Sequence, residues 1–252
     1  MKYEEIIKFY QTHNEEEDNA LGFIKEKGYA PLAEDIAQVM DGSTLVKEGM
    51  ILIRKHPRFC CVAEHKHNYL EINYILSGEI TQILDGNKMT LQEGELLFIS
   101  KNSKHEFLPA KEGDILLNFI ILPEFFDCIY PFIDKEGNIK NFLLNLLSNG
   151  DEINSVLFHV KGDESIQNII KNILITYFES EEGSANLLRH YFLVLIYELL
   201  KRTNLVEETS TSNSDSILLF KIYNYIENNY SHGSLNDLSI LLNEDYNYLS
   251  KK

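Results

Sequence analysis

The spacing of apolar positions changes character three times along the chain. Residues 1–40 show helical spacing in three runs, "YEEIIKFY", "EEEDNALGFIKEK" and "PLAEDIAQVM", separated by polar or glycine-containing breaks. From about Met50 the runs shorten and become β-rich: "MILIRKH", "YLEINYIL", "EITQIL", "KMTL", "ELLFIS" and "ILLNFIIL". Turn signals fall between them at Ser77-Gly78, Asp85-Gly86-Asn87, Glu93-Gly94 and Glu112-Gly113-Asp114. Short strands punctuated by glycine turns predict an antiparallel sandwich or small barrel. After Pro123 the helical period returns. "DESIQNIIKNILITYFES" puts Ile166, Ile169, Ile170, Ile173, Tyr177 and Phe178 on one stripe. The next helix, "ANLLRHYFLVLIYELLK", is apolar around most of its circumference, with a thin polar line through Asn186, His190 and Glu198. A helix of that kind needs burial on more than one side, as a core helix or as a dimer contact.

"RTNLVEETSTSNSDS", residues 202–216, has almost nothing to bury and reads as a linker, placed over 203–214. It divides a large domain, residues 1–202, from a short piece, residues 215–252. That piece predicts three helices. The first runs from about Ser216 to Asn229 and buries Leu218, Ile222, Tyr225 and Ile226. Ser234 is a good N-cap for the second, with Asp237 three residues on, and Leu235, Leu238, Leu241 and Leu242 form its apolar stripe. Asn243 suits the tight turn that follows, and Asp245 suits the cap of the third helix. In that helix Tyr248 and Leu249 are expected inside, and Tyr246, Asn247, Ser250 and Lys251 outside. Two short helices joined by about three residues, the second with exposed polar and basic groups, form a helix-turn-helix arrangement. Asn can read adenine in a major groove, and Lys can reach guanine or phosphate.

"IYNYIENNYSHGSLNDLSILLNEDYNYLSKK" resembles the start of the AraC-type regulator DNA-binding domain. Ser234-Leu235, Asp237-Leu238 and Tyr248-Leu249-Ser250 fit that family's pattern, Lys251 stands at its Arg position, and Ser239 replaces a usual Ala. The family's domain has two helix-turn-helix units, and only the start of the first falls within residues 1–252. The resemblance therefore implies DNA as a partner of the full-length protein, with Tyr246, Asn247, Ser250 and Lys251 as the reading residues.

The candidate chemistry lies upstream, in "EHKHNYLEINYILSG". Residues two apart on a strand share a face, so an unbroken strand would point His65, His67, Glu71, Asn73 and Ile75 the same way. The spacing from His65 to Gly78 is similar to the first cupin motif. Gly94 through His105 resembles the second, with Ser100, Asn102 and Pro109 in place of its Pro, Gly and Asn. His65, His67, Glu71 and His105 are therefore candidates to hold Fe, Mn, Ni or Zn with open positions, as in a cupin oxygenase or isomerase. The whole stretch to Phe107 also resembles the effector-binding half of AraC-type regulators, a cupin-like barrel. Many such domains keep these residues as pocket-lining groups. Two resemblances in the right order along one chain favour the sensor: a ligand pocket lined by His65, His67, Glu71, Asn73 and His105, with no metal, no cofactor and no catalytic residue. A backbone-bonding role inside the barrel is the plainer alternative for His65 and Glu71.

Composition bounds the rest. Hydrophobic residues make up 44% of the chain, enough for a sizeable core. The formal charge of −16 opposes a broad nucleic-acid-coating surface but not a local reading element. Cys60, Cys61 and Cys128 are too few and too irregular for a disulfide framework and read as small hydrophobes of a reducing cytoplasm. No signal peptide is visible, and "YFLVLIYELL" is about half the roughly 20 residues a membrane span needs. The expectation is a cytoplasmic α+β protein. A cupin-like antiparallel β-barrel with flanking helices is followed by an incomplete all-α helix-turn-helix segment. It dimerises through the helices of 163–201 and senses a small-molecule effector or partner.

Overall fold

The structure, a computed structural model, describes residues 1–33, 39–46, 50–101, 103–126, 155–179, 183–202, 206–208, 222, 225, 229, 233–242 and 244–250. It opens with α1 (Tyr3–Gln11) and α2 (Glu15–Lys27). The start of α2 is written in "NEEE". The Asn14 side chain accepts from the Glu17 N–H at 2.9 Å, and the Asn14 N–H donates back to the Glu17 carboxylate at 3.2 Å, a reciprocal capping box. Then come β1 (Val39–Met40), α3 (Gly42–Leu45), β2 (Ile51–Lys55), β3 (Val62–His67) and β4 (Leu70–Ser77). They are followed by β5 (Glu79–Leu84), β6 (Asn87–Gln92), β7 (Leu96–Ile99), β8 (His105–Phe107) and β9 (Ile115–Ile121). A 3₁₀ turn at Pro123–Phe126 precedes β10 (Ser155–Phe158), α4 (Glu164–Phe178), α5 (Ser184–Leu200), β11 (Val206–Glu208), α6 (Leu235–Leu242) and α7 (Tyr246–Leu249).

The strands form two sheets, one ordered β1-β3-β8-β5-β6 and the other β11-β10-β7-β4-β9-β2. All these pairs are antiparallel except β1 with β3. The larger sheet is buried on both faces, which explains why β4 and β9 read as nearly continuous apolar runs. Its outer set, including Ile53, Ile72, Phe98, Phe119 and Phe158, packs on Ile6 of α1, Ile166 and Ile170 of α4, and Phe192 and Leu195 of α5. Its inner set, Ile75, Leu97, Ile99, Leu116 and Leu157, meets Ile80, Leu84, Leu91 and Phe107 of the smaller sheet. The predicted α+β fold is therefore observed: an antiparallel barrel with helices against one outer wall. The predicted turns fall between the strands. At Gly78 (φ 73°) a Cβ would lie 2.2 Å from Asp114 Oδ1, the atom that accepts from the Glu79 N–H, so that corner excludes any side chain.

Four expectations need correction. Val39–Met40 at the end of the third predicted helix is a strand beside β3, because backbone pairing to Lys66 and His67 overrides the helical spacing; 34–38 lie outside the described residues. Within the predicted linker, Val206–Glu208 pairs antiparallel with β10 and so edges the larger sheet; the remainder of 203–214 lies outside the described residues. In the C-terminal piece Leu241 is 65% exposed rather than buried, because α6 turns Leu238 inward with Leu235 and Leu242 beside it. Tyr248 is likewise 38% exposed, while Leu249 is buried against Leu238.

The two N-terminal helices are fixed to the barrel by a buried carboxylate. Glu17 accepts two hydrogen bonds from the Arg58 guanidinium, at 2.8 and 2.9 Å, and one from Lys55 Nζ at 2.6 Å. Arg58 also donates to the Gln11 and Glu112 carbonyls, and Lys55 to that of Thr12. Burial pushes the Glu17 pKa up, but the hydrogen bonds and charges of Arg58 and Lys55 outweigh it and bring it down to about 2. A carboxyl with a depressed folded pKa contributes stability above its unfolded value near 4.5, and that contribution is lost as pH falls toward 2. Glu17→Gln is accordingly expected to cost about 3 kcal/mol at pH 7. The deficit in thermal unfolding, followed by circular dichroism, should shrink steadily between pH 4.5 and 2; a pH-independent deficit would contradict this account.

Candidate functional site

β3 and β8 carry the histidines, with His65 and His105 directly paired in register. The strand bearing His65 and His67 does not run on to Glu71: the chain breaks at Asn68-Tyr69, and Glu71 lies on β4 in the other sheet. The cluster is thus assembled across the barrel rather than along one strand. His67 stacks on Tyr69 at 4.6 Å, and its Nδ1 lies 2.8 Å from the Tyr69 carbonyl. The carbonyl only accepts, so Nδ1 carries the proton and Nε2 keeps a bare lone pair. His65 Nδ1 likewise faces the Ala63 carbonyl at 2.9 Å, so its Nε2 accepts. His105 Nε2, 2.8 Å from His65 Nε2, must then donate, which leaves the lone pair of His105 Nδ1 free. Both free atoms, His67 Nε2 and His105 Nδ1, are buried without a partner among the described residues. Burial lowers the pKa of each ring, and for His105 the nearby His67, His65 and His56 lower it further. The rings are neutral at pH 7.

His67, Glu71 and His105 each present a ligating atom within 4.8 Å of the others. Glu71 is held by a chain of amides. Asn73 Nδ2 donates to Glu71 at 2.8 Å and to Asn118 Oδ1 at 3.1 Å, while its Oδ1 accepts from Gln82 Nε2 at 3.1 Å. This chain joins β4 and β9 of one sheet to β5 of the other and uses every polar group of Asn73.

A cavity of about 700 Å³ opens beside the cluster, between the end of α1, the start of α2 and the inner side of β2 to β4. Of the five residues expected to line a ligand pocket, His65 and Glu71 lie on its wall; His67, Asn73 and His105 are buried and not among the lining residues. Its wall also includes Arg54, His56, Tyr69 and Asn118, and Phe9, Tyr10 and His13 from the N-terminal segment. Three of these had a sequence signal. Arg54 and His56 alternate on one face of the strand ahead of Pro57, and Asn118 interrupts the apolar run "ILLNFIIL".

At the other end, Asp245 Oδ1 accepts from the Asn247 and Tyr248 N–H groups, and Ser234 Oγ from the Asp237 N–H. These are the caps expected for α7 and α6. Leu238 and Leu249 pack together with Ile222 and Tyr225, so the piece has its own small core. Tyr246, Asn247 and Ser250 are exposed. Leu218, Ile226, Asn243 and Lys251 lie outside the described residues.

Residues 60–119, which include the strands that carry the histidine cluster, match the cupin domain family. One curated relative, acetate kinase EutQ of Clostridioides difficile (strain 630), is 48% identical over 40 residues, which is 16% of this chain and 26% of that protein, about a quarter of its length. Among solved structures, an apo ToxT variant from Vibrio cholerae strain SCE256 is 15% identical with a TM-score of 0.45, over 80% of this chain and 73% of that one. A cupin protein from Bacteroides fragilis is 29% identical with a TM-score of 0.25, over 29% of this chain and 64% of that one.

The amide chain gives a direct test. Asn73→Ala strips hydrogen bonds from Glu71, Asn118 and Gln82 together. The expected loss is about 2 kcal/mol of unfolding free energy, read from urea titration. A change under about 0.5 kcal/mol would mean that water satisfies those groups equally well.

Proposed function

We propose that this chain is the sensor and the first DNA-reading unit of an AraC-type transcription regulator. The observation that carries the reading is the pair α6 and α7. Their cores meet at Leu238 and Leu249, Asp245 caps the second helix, and Tyr246, Asn247 and Ser250 face solvent. That is the placement a groove-reading helix requires. The cupin barrel supplies a cavity for an effector and performs no catalysis. Leu187, Val194 and Tyr197 form an exposed apolar line on α5, which supports homodimerisation through α4 and α5. Occupying the cavity shifts the helical layer behind the larger sheet and changes how two reading units are presented. In the full-length protein Asn247→Ala is expected to weaken specific DNA binding by about 1–3 kcal/mol, roughly fivefold to 150-fold. Fluorescence anisotropy at two salt concentrations measures it. Unchanged affinity, or binding with no salt dependence, would reject the reading.

A second reading is favoured by one observation, the free lone pairs of His67 and His105 beside Glu71. Two neutral imidazoles and a carboxylate suit a divalent transition metal, which would add a Lewis acid with open coordination positions to the barrel. His65, already bonded to His105, stands outside the three. Neutral rings need no deprotonation to bind, so metal affinity is expected to hold down to mildly acidic pH. Equilibrium dialysis against Zn²⁺ or Mn²⁺ should give about one ion per chain, lost in His67→Ala; no binding at micromolar metal would exclude this reading.

A further inference from the structure

The cavity holds several donors with nothing to donate to. Arg54 projects from β2 in the same cross-strand row as Asn118 and Asn73. Its Nε is buried without a partner, and it pairs with no described carboxylate, although the chain carries 39 acids against 23 bases. Neighbouring basic groups are committed elsewhere: Lys55 and Arg58 to Glu17, and His13 to Asp18 and Glu112. Two residues beyond Arg54, His56 is 4% exposed with its ring 4.1 Å from that of Phe107. Neither of its nitrogens has a partner among the described residues. Burial, with help from Arg54 and His65, brings its pKa down to about 3, so the neutral ring offers one N–H. Tyr10, on the same wall, has a buried hydroxyl that is also unpartnered.

Buried donors left unmade are costly, and those of Arg54 and His56 on one cavity wall point to an acceptor that the protein itself does not supply. The acceptor's charge follows from Arg54. One uncommitted guanidinium among the described residues of the wall suits a single negative charge, and its planar fork suits a carboxylate. Two acids lie on the wall: Glu71, held by Asn73 on β4, and Glu16, in the first turn of α2. The rest of the lining includes Tyr10, Leu45, Ile53 and Phe107, which suits an apolar body, and about 700 Å³ admits one of modest size.

We propose that this cavity binds an amphipathic organic monocarboxylate, its carboxylate on Arg54 and the His56 N–H and its apolar body against Tyr10, Leu45, Ile53 and Phe107. The inference rests on the sensor reading of the barrel and names the chemical class of its effector. Isothermal titration calorimetry on the full chain, with chelator present to exclude metal, compares decanoate and 4-phenylbutanoate with 1-decanol and 4-phenylbutanol. At least one acid is expected to bind ten or more times tighter than its alcohol. Arg54→Met should abolish that preference, Arg54→Lys should keep most of it, and His56→Phe should weaken acid binding several-fold. Circular dichroism melting checks that each variant is folded. Should Arg54→Met fail to fold, the acid-to-alcohol ratio of the unaltered chain decides alone. Alcohols matching both acids, no binding of either acid, or acid binding untouched in folded Arg54→Met would overturn the proposal. DNA binding by the full-length protein is read separately, so absence of a carboxylate preference in the unaltered protein with DNA binding intact rejects the ligand class and leaves the regulator standing.

Discussion

The larger sheet is buried on both faces, and the remaining architecture follows from that constraint. Its outer side chains need a helical cover, which α1, α4 and α5 provide; its inner side chains need the smaller sheet opposite. A sheet so enclosed can admit polar groups only if they satisfy one another. Asn73, Asn118 and Glu71 meet that condition through shared hydrogen bonds, and Gln82 joins them through its Nε2 while its Oε1 has no partner among the described residues. Most of the exceptions gather at one place: the free nitrogens of His56, His67 and His105, the Nε of Arg54 and the Tyr10 hydroxyl are buried in or beside the same end of the barrel, whereas the Arg189 Nε lies apart on α5. Unsatisfied polarity concentrated in one region marks where the fold leaves room for chemistry supplied from outside.

The cavity also depends on Glu17. Its carboxylate closes the capping box of α2 and receives Arg58 and Lys55, both from the segment around β2. One residue therefore sets where the helix begins and where it sits over the barrel. Removing it leaves two buried cations facing each other without a counter-charge, so the mouth of the cavity and the stability of the N-terminal helices are linked.

Much of this was legible in the chain itself, for a definite reason. Where a segment's own periodicity decides its burial, the pattern and the structure agree: the strands from Ile51 to Ile121, the turn at Gly78, and the helices from Glu164 and Ser184. Tertiary pairing is not written in local spacing. Val39–Met40 looks helical but is captured by β3, and Val206 to Glu208 looks like linker but edges β10. The site shows the same division. The spacing of His65, His67, Glu71 and His105 brought the right residues into view, but a strand break at Asn68-Tyr69 decides their geometry. Arg54 and His56 acquire meaning only once β2 lies beside β9, a neighbour more than sixty residues away. Lone-pair directions, which separate a metal ligand from a wall residue, depend on the carbonyls of Ala63 and Tyr69 and have no signature in sequence.

The fold also offers a physical route from the cavity toward the C-terminal helices. Tyr10 lines the cavity, and its ring meets that of Phe178, at the end of α4, at 5.8 Å; Phe9 at the rim meets the same ring at 5.4 Å. α4 packs along α5, and its N-cap Asp163 is tied to Arg202 just beyond the end of α5. From Arg202 the chain leads to β11, on the edge of the larger sheet, and then toward α6. A ligand that reorients Tyr10 therefore acts on the helix pair that immediately precedes, along the chain, the segment between the barrel and α6. Contiguity alone transmits nothing. The helix pair must have two arrangements, and the ligand can shift their balance by no more than the difference in its affinity for them. Moving such an equilibrium from one part in a hundred to the reverse takes about 5.5 kcal/mol of differential binding. A group placed on otherwise unpartnered buried donors is the kind of contact that can supply a large share of that difference, because those donors gain little in whichever arrangement turns them away.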